Sequence, residues 1–135
     1  MAYESPSFYT TLPASTGLKQ YQFVALNSNG RLANPSTEGN VIGILTSSGT
    51  TGSTGRAGST DSGSVQTVQI LGIGKVIAGT TTIDIADKIK ADTDGRASTA
   101  SSTSYLSALA LEAVDSTSTS AQIISVLLSP LSAWA

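Results

Sequence analysis

The phrase LNSNGRLA at 26–33 returns 65 residues later as ADTDGRAS at 91–98. The echo is longer than the phrase. FVALNSNGRLA (23–33) falls on KIKADTDGRAS (88–98), and at the same offset VIGILTS (41–47) falls on LSALALE (106–112). Each copy runs on into a Ser/Thr-rich stretch, 46–64 or 115–120, and then into an apolar segment, VQTVQILGIG or AQIISVLLS. A chain written twice is expected to fold twice. The unit is strand, Asx-Gly turn, short strand, linker, apolar strand, loop, apolar strand, and the internal pseudo-repeat spans 23–47 and 88–112. It also decides YLSALALEAV (105–114), whose Ala, Leu and Glu favour helix. Its counterpart NVIGILT is too β-branched and glycine-containing for a helix, so both copies read as strands.

Composition points the same way. Forty of the 135 residues are Ser or Thr and 13 are Gly. Thr stiffens extended backbone and Gly weakens helices, so strands and turns are favoured. The expected fold is all-β: a small β-barrel or sandwich built from a duplicated strand–turn–strand unit, in a single domain at 18–129. Residues 49–63, of which twelve are Gly, Ser or Thr, read as a flexible loop. A P-loop is excluded there, because no Gly-Lys-Ser/Thr ending appears and no helix is expected after it. In VQTVQILGIGKVIA (65–78) the apolar residues do not alternate strictly, which predicts a bend at Gly72 or Gly74.

The acidic copy of the turn poses a chemical question, since Asp92, Asp94 and Gly95 resemble the start of a calcium loop. The ligand expected two residues before Asp92 is Lys90, a cation, and the bidentate Glu expected six residues after Gly95 is Ser101. The other copy has neutral Asn27 and Asn29 at the same places. The reading is therefore a hairpin turn formed by Asn29-Gly30 and by Asp94-Gly95, whose residue types tolerate left-handed backbone, and no metal. No cofactor is expected either.

The chain has neither Cys nor His. Thiolate nucleophiles and imidazole bases are absent, and the nine acids fall mostly in turns, so the protein is not expected to be an enzyme. Seven scattered cations and a net charge of −2 give no stripe for phosphates, so no nucleic-acid partner is expected. No apolar run reaches the roughly 20 residues of a membrane helix, and MAYESPSFYT lacks the features of a signal peptide. Residues 1–17 read as an extended N-terminal arm. The first 16 residues hold Tyr3, Phe8 and Tyr9, half of the six Phe and Tyr residues. Aromatics gather at interfaces, so these three and Trp134, in a C-terminal tail at 130–135, are the candidate partner-facing residues.

Taken together, FVALNSNGRLANPSTEGNVIGILTSSG, VQILGIGKVIAGTTTIDIADKIKADTDGRAS, YLSALALEAV and AQIISVLLS resemble the small capsid decoration, or cement, proteins of tailed bacteriophages. The likeness covers about residues 18–129 and is one of rhythm and short phrases. It implies a β-tulip-like fold on the virion, at the capsid exterior, in a protein made in the host cytoplasm. It also implies a homotrimer that binds the major capsid protein and bridges its subunits. The alternative for a Ser/Thr/Gly-rich β chain is a glycan- or host-binding fibre or lectin-like module, against which the mid-chain offers only Tyr21, Phe23 and Tyr105 as sugar platforms.

Overall fold

The computed structural model describes residues 5–35, 41–47, 63–79, 81–101, 105–115 and 122–133. Nine strands lie among the described residues: β1 (Ser5–Pro13), β2 (Phe23–Leu26), β3 (Leu32–Ala33), β4 (Val41–Leu45), β5 (Val65–Ile77), β6 (Lys88–Ala91), β7 (Ala97–Thr99), β8 (Tyr105–Ala110) and β9 (Ile123–Ala133). They form one antiparallel sheet in the order β3-β2-β4-β5-β9-β8-β6-β7, with β1 paired to β5 off this path. The sheet curls into a half-barrel, and the fold is all-β.

That order reads the same from both ends once β2, β3, β4 and β5 are matched with β6, β7, β8 and β9. The registers match residue by residue. Phe23↔Ile44 and Val24↔Gly43 recur at an offset of 65 as Lys88↔Leu109 and Ile89↔Ala108. Ala25↔Ala33 and Leu26↔Leu32 recur as Lys90↔Ser98 and Ala91↔Ala97. Even the strained backbone is copied. Tyr21 has φ 66° and Ala86, 65 residues on, has φ 72°. Tyr21 N–H donates to Leu45 O at 2.7 Å and Ala86 N–H to Ala110 O at 2.8 Å.

The unit has five strands rather than four, and β5 belongs to both copies. Its first half closes the first unit against β4, through Ile44↔Gln69 and Leu45↔Val68, while β1 lies along it. Its second half opens the second unit against β9, through Ile73↔Leu127 and Val76↔Ile124. The pairings Tyr9↔Gln69 and Leu12↔Gln66 of β1 are the same pairings one unit earlier. The chain returns are copied as well. Ala14 N–H donates to Ser64 O at 2.8 Å, and Ala78 N–H to Gln122 O at 2.7 Å.

Each unit has its own core. Ala14, Leu18, Val24, Leu32, Leu45 and Val68 form one cluster. Their counterparts Ala78, Ile83, Ile89, Ala97, Ala110 and Val126 lie in the other, which also takes in Phe23, Val41 and Ile44 from the first unit and so joins the two. Phe23, Leu18, Leu32, Ile44 and Ile83 are at most 1% exposed. At about 1.5–3 kcal/mol for each large side chain removed from water, these anchors set the scale of the stabilisation.

The switch between units is local. Gly72 takes φ +96°, which only glycine adopts readily, and two residues before it β5 bulges at Ile70, the residue skipped between Phe8↔Leu71 and Tyr9↔Gln69. Gln69, fully buried, spans the bulge: its Nε2 donates to Leu71 O and Ile73 O, both at 3.0 Å. Before the bulge Gln66 and Val68 are buried; after it Gly74 and Val76 are buried, and Gly74 lies against Gln69 and Ile44. In β9 the matching positions are Leu127 and Pro130, and that strand runs on beside β8 as far as Ala133↔Tyr105.

Strand extends into both expected terminal segments. The segment expected as an arm is a sheet strand through Pro13, because β5 presents a free edge and the repeat reserves that slot. The expected tail at 130–135 is strand up to Ala133, because β8 supplies backbone partners that far. The expected loop 49–63 lies outside the described residues except for Gly63, which has φ 82°.

Candidate interaction surfaces

The two Asx-Gly turns are built alike and are closed by their own side chains. Asn27 Oδ1 accepts the N–H groups of Asn29 and Arg31, each at 3.0 Å. Asp92 Oδ1 accepts those of Asp94 at 2.9 Å and Arg96 at 2.8 Å. Gly30 and Gly95 supply the positive φ, 73° and 77°. The locking acceptors are thus Asn27 and Asp92, two residues before the expected Asn29 and Asp94.

The turns differ in what they touch. A Cβ on Gly30 would meet open space, whereas one on Gly95 would lie 2.5 Å from Phe23 O and 2.8 Å from Gln22 Nε2. Phe23 N–H donates to Gly95 O at 2.7 Å, so the second turn is pressed onto the start of β2. Ala100 N–H donates to Lys88 O at 2.8 Å, but the residue matching Ala100 is Pro35, which has no N–H. Phe23 O, the counterpart of Lys88 O, accepts instead from Gln22 Nε2 at 3.4 Å.

Of the candidate partner-facing residues, Phe8 and Tyr9 stand on β1, while Tyr3 and Trp134 lie outside the described residues. Phe8 is 51% and Tyr9 41% exposed. Two consecutive strand residues normally face opposite sides. Here register shifts flank Phe8 on both sides. Phe8 pairs with Leu71, also 51% exposed, and two residues further along β5 lies Ile73. Ile73, Leu127 and Leu109 stand side by side across β5, β9 and β8, and Leu127 is 43% exposed. The result is an apolar band over the middle of the sheet, where a water-facing strand would place polar residues. Contiguous apolar surface of this kind marks a partner-binding face more often than scattered single residues do.

The sequence names Phe8 and Tyr9, yet it does not mark Leu71 or Leu127, because an apolar residue in a strand is read as core unless the register is known. No family model and no curated protein matches this chain. Among solved structures the chain is similar to the N base of head fiber gp8.5 of bacteriophage phi29, with a TM-score of 0.51, 20% sequence identity, and coverage of 90% of this chain and 93% of that one. At that identity the likeness establishes a shared fold along nearly the whole of both chains.

Proposed function

We propose that this protein is a structural component of a tailed-phage head, bound to the outside of the shell as a homotrimer and bridging major capsid subunits. It acts without catalysis and without a cofactor. The observation that carries the reading is the whole-length likeness of the duplicated sheet to the base of a phage head fiber. The apolar band around Phe8, Leu71, Ile73 and Leu127 supports it, since it offers an apolar surface for a protein partner. The near absence of net charge suits attachment in many copies on a crowded shell, where weak contacts sum through multivalency.

The test is co-sedimentation with expanded, empty heads, paired with analytical ultracentrifugation of the 13.6 kDa chain. Saturable binding to heads and a trimer mass are expected. Absence from the head pellet together with binding on a glycan array would replace this reading with that of a host-binding module.

A further inference from the structure

The surface departs from the repeat at the seam between the units. A cleft of about 260 Å³ opens there, lined by Lys19, Gln22, Asn34, Asp94 and Arg96 among others. Its floor is fixed. Gln22 is 4% exposed; its Oε1 accepts the Lys19 N–H at 2.8 Å and its Nε2 donates to Asn34 Oδ1 at 2.6 Å. The same bond exists in the second unit, where the Asp84 N–H donates to Asp87 Oδ2 at 2.8 Å. The scaffold is copied but the chemistry is reversed: Asp84 and Asp87 stand where the first unit has Lys19 and Gln22.

Three groups around the cleft have no hydrogen bond or ion pair among the described residues: the Lys19 ammonium, the Arg96 guanidinium and the Asn34 Nδ2. Asn34 turns its oxygen to Gln22, which leaves its two N–H donors for a ligand. The cleft therefore offers two cations and an amide donor, and its one carboxylate, Asp94, leaves a balance of one positive charge. A fork of guanidinium donors beside a point cation and an amide matches the two oxygens of a carboxylate. A single negative charge neutralises the site, whereas a phosphate dianion would add repulsion from Asp94. The volume suits the tip of a side chain rather than a sugar chain.

We propose that this cleft receives the carboxylate of an Asp or Glu side chain on the shell the protein covers, an assignment that rests on the head-binding reading above. The probe is a capped glutamate, compared with capped glutamine and inorganic phosphate at constant ionic strength and followed by ¹⁵N NMR of the full chain. Glutamate is expected to shift the Lys19 and Arg96 amides and the Asn34 side-chain amide saturably, and K19Q and R96Q are expected to abolish this. On heads, the K19E/R96E double variant, with its NMR spectrum otherwise intact, is expected to bind at least tenfold more weakly than the parent.

Equal shifts with glutamine, or shifts with phosphate alone, would overturn the carboxylate assignment. Unchanged head binding by the double variant would overturn the site while leaving the head-binding reading intact. A parent protein that takes up glutamate yet ignores heads would remove the capsid as the source of that carboxylate and the function proposed above with it.

Discussion

Replacing Gly43 with alanine adds one methyl group, and the repeat supplies the control. Ala108 occupies the matching position on β8, where its side chain is 3% exposed and accommodated. On β4 an added Cβ would lie 2.2 Å from the backbone oxygen of Gln69 and 2.9 Å from Val68 Cγ1. Carbon and oxygen tolerate about 3.3 Å, so β4 and β5 must part by about 1 Å. The obstacle is backbone and cannot rotate away. Overpacking of this kind costs about 1–3 kcal/mol. Loosening the Ile44↔Gln69 and Leu45↔Val68 pairing removes at least one hydrogen bond, worth about 1 kcal/mol more. The expected loss is about 3 kcal/mol, a large fraction of the stability of a domain this size. With a urea m-value near 2 kcal/mol/M, the unfolding midpoint should fall by about 1.5 M. The reciprocal A108G should cost no more than about 1 kcal/mol. A Gly43→Ala midpoint within about 0.3 M of the parent would refute the close approach of β4 to β5, and with it the account of how β5 passes from one unit to the next.

Other outcomes follow from the same geometry. Ser107 is fully buried and its Oγ has no partner among the described residues, at a place where the first unit has Ile42; S107A should raise stability by about 1 kcal/mol in urea unfolding. Gln69→Leu, which installs the residue of the matching β9 position, removes both bonds across the bulge but also a buried Oε1 that has no partner among the described residues, so the net cost should be about 1 kcal/mol, visible as faster amide exchange at Leu71–Gly74. Asp92→Asn should leave the melting temperature within a degree or two because Asn27 already does this task, whereas Asp92→Ala should cost about 1–2 kcal/mol. Phe8→Ser combined with Leu71→Ser should leave the unfolding midpoint within about 0.5 M, since both side chains are half exposed, yet lower occupancy on heads severalfold.

Much of this fold is legible in the primary structure because turns write it in a small alphabet. The offset of 65 residues is carried by Asn27–Arg31 and Asp92–Arg96, and the pairings of β2–β4 and β6–β8 carry the same offset. The fifth strand of the unit is not legible. SPSFYTTLP and LGIGKVIA share no residue pattern, and only the common pairing against Gln69 and Leu127 reveals that β1 and the second half of β5 hold the same slot. Their likeness lies in backbone bonds, which any sequence but proline can make. The surfaces divide in the same way. Aromatic residues announce Phe8 and Tyr9, but the exposure of Leu71 and Leu127 is a property of register. The seam cleft brings Lys19 next to Arg96 across 77 positions of sequence, a juxtaposition made by the Gly95 turn seated on β2.

In the proposed role the duplicated sheet braces a phage shell with its apolar band and seam cleft turned inward. Cryo-electron microscopy of expanded heads incubated with the protein measures this most directly. Density is expected at threefold positions outside the shell, with β5 and β9 against the capsid surface and Lys19 and Arg96 facing an acidic side chain. Heads that stay bare at saturating protein, or density that holds the β5–β9 face toward solvent, would contradict it.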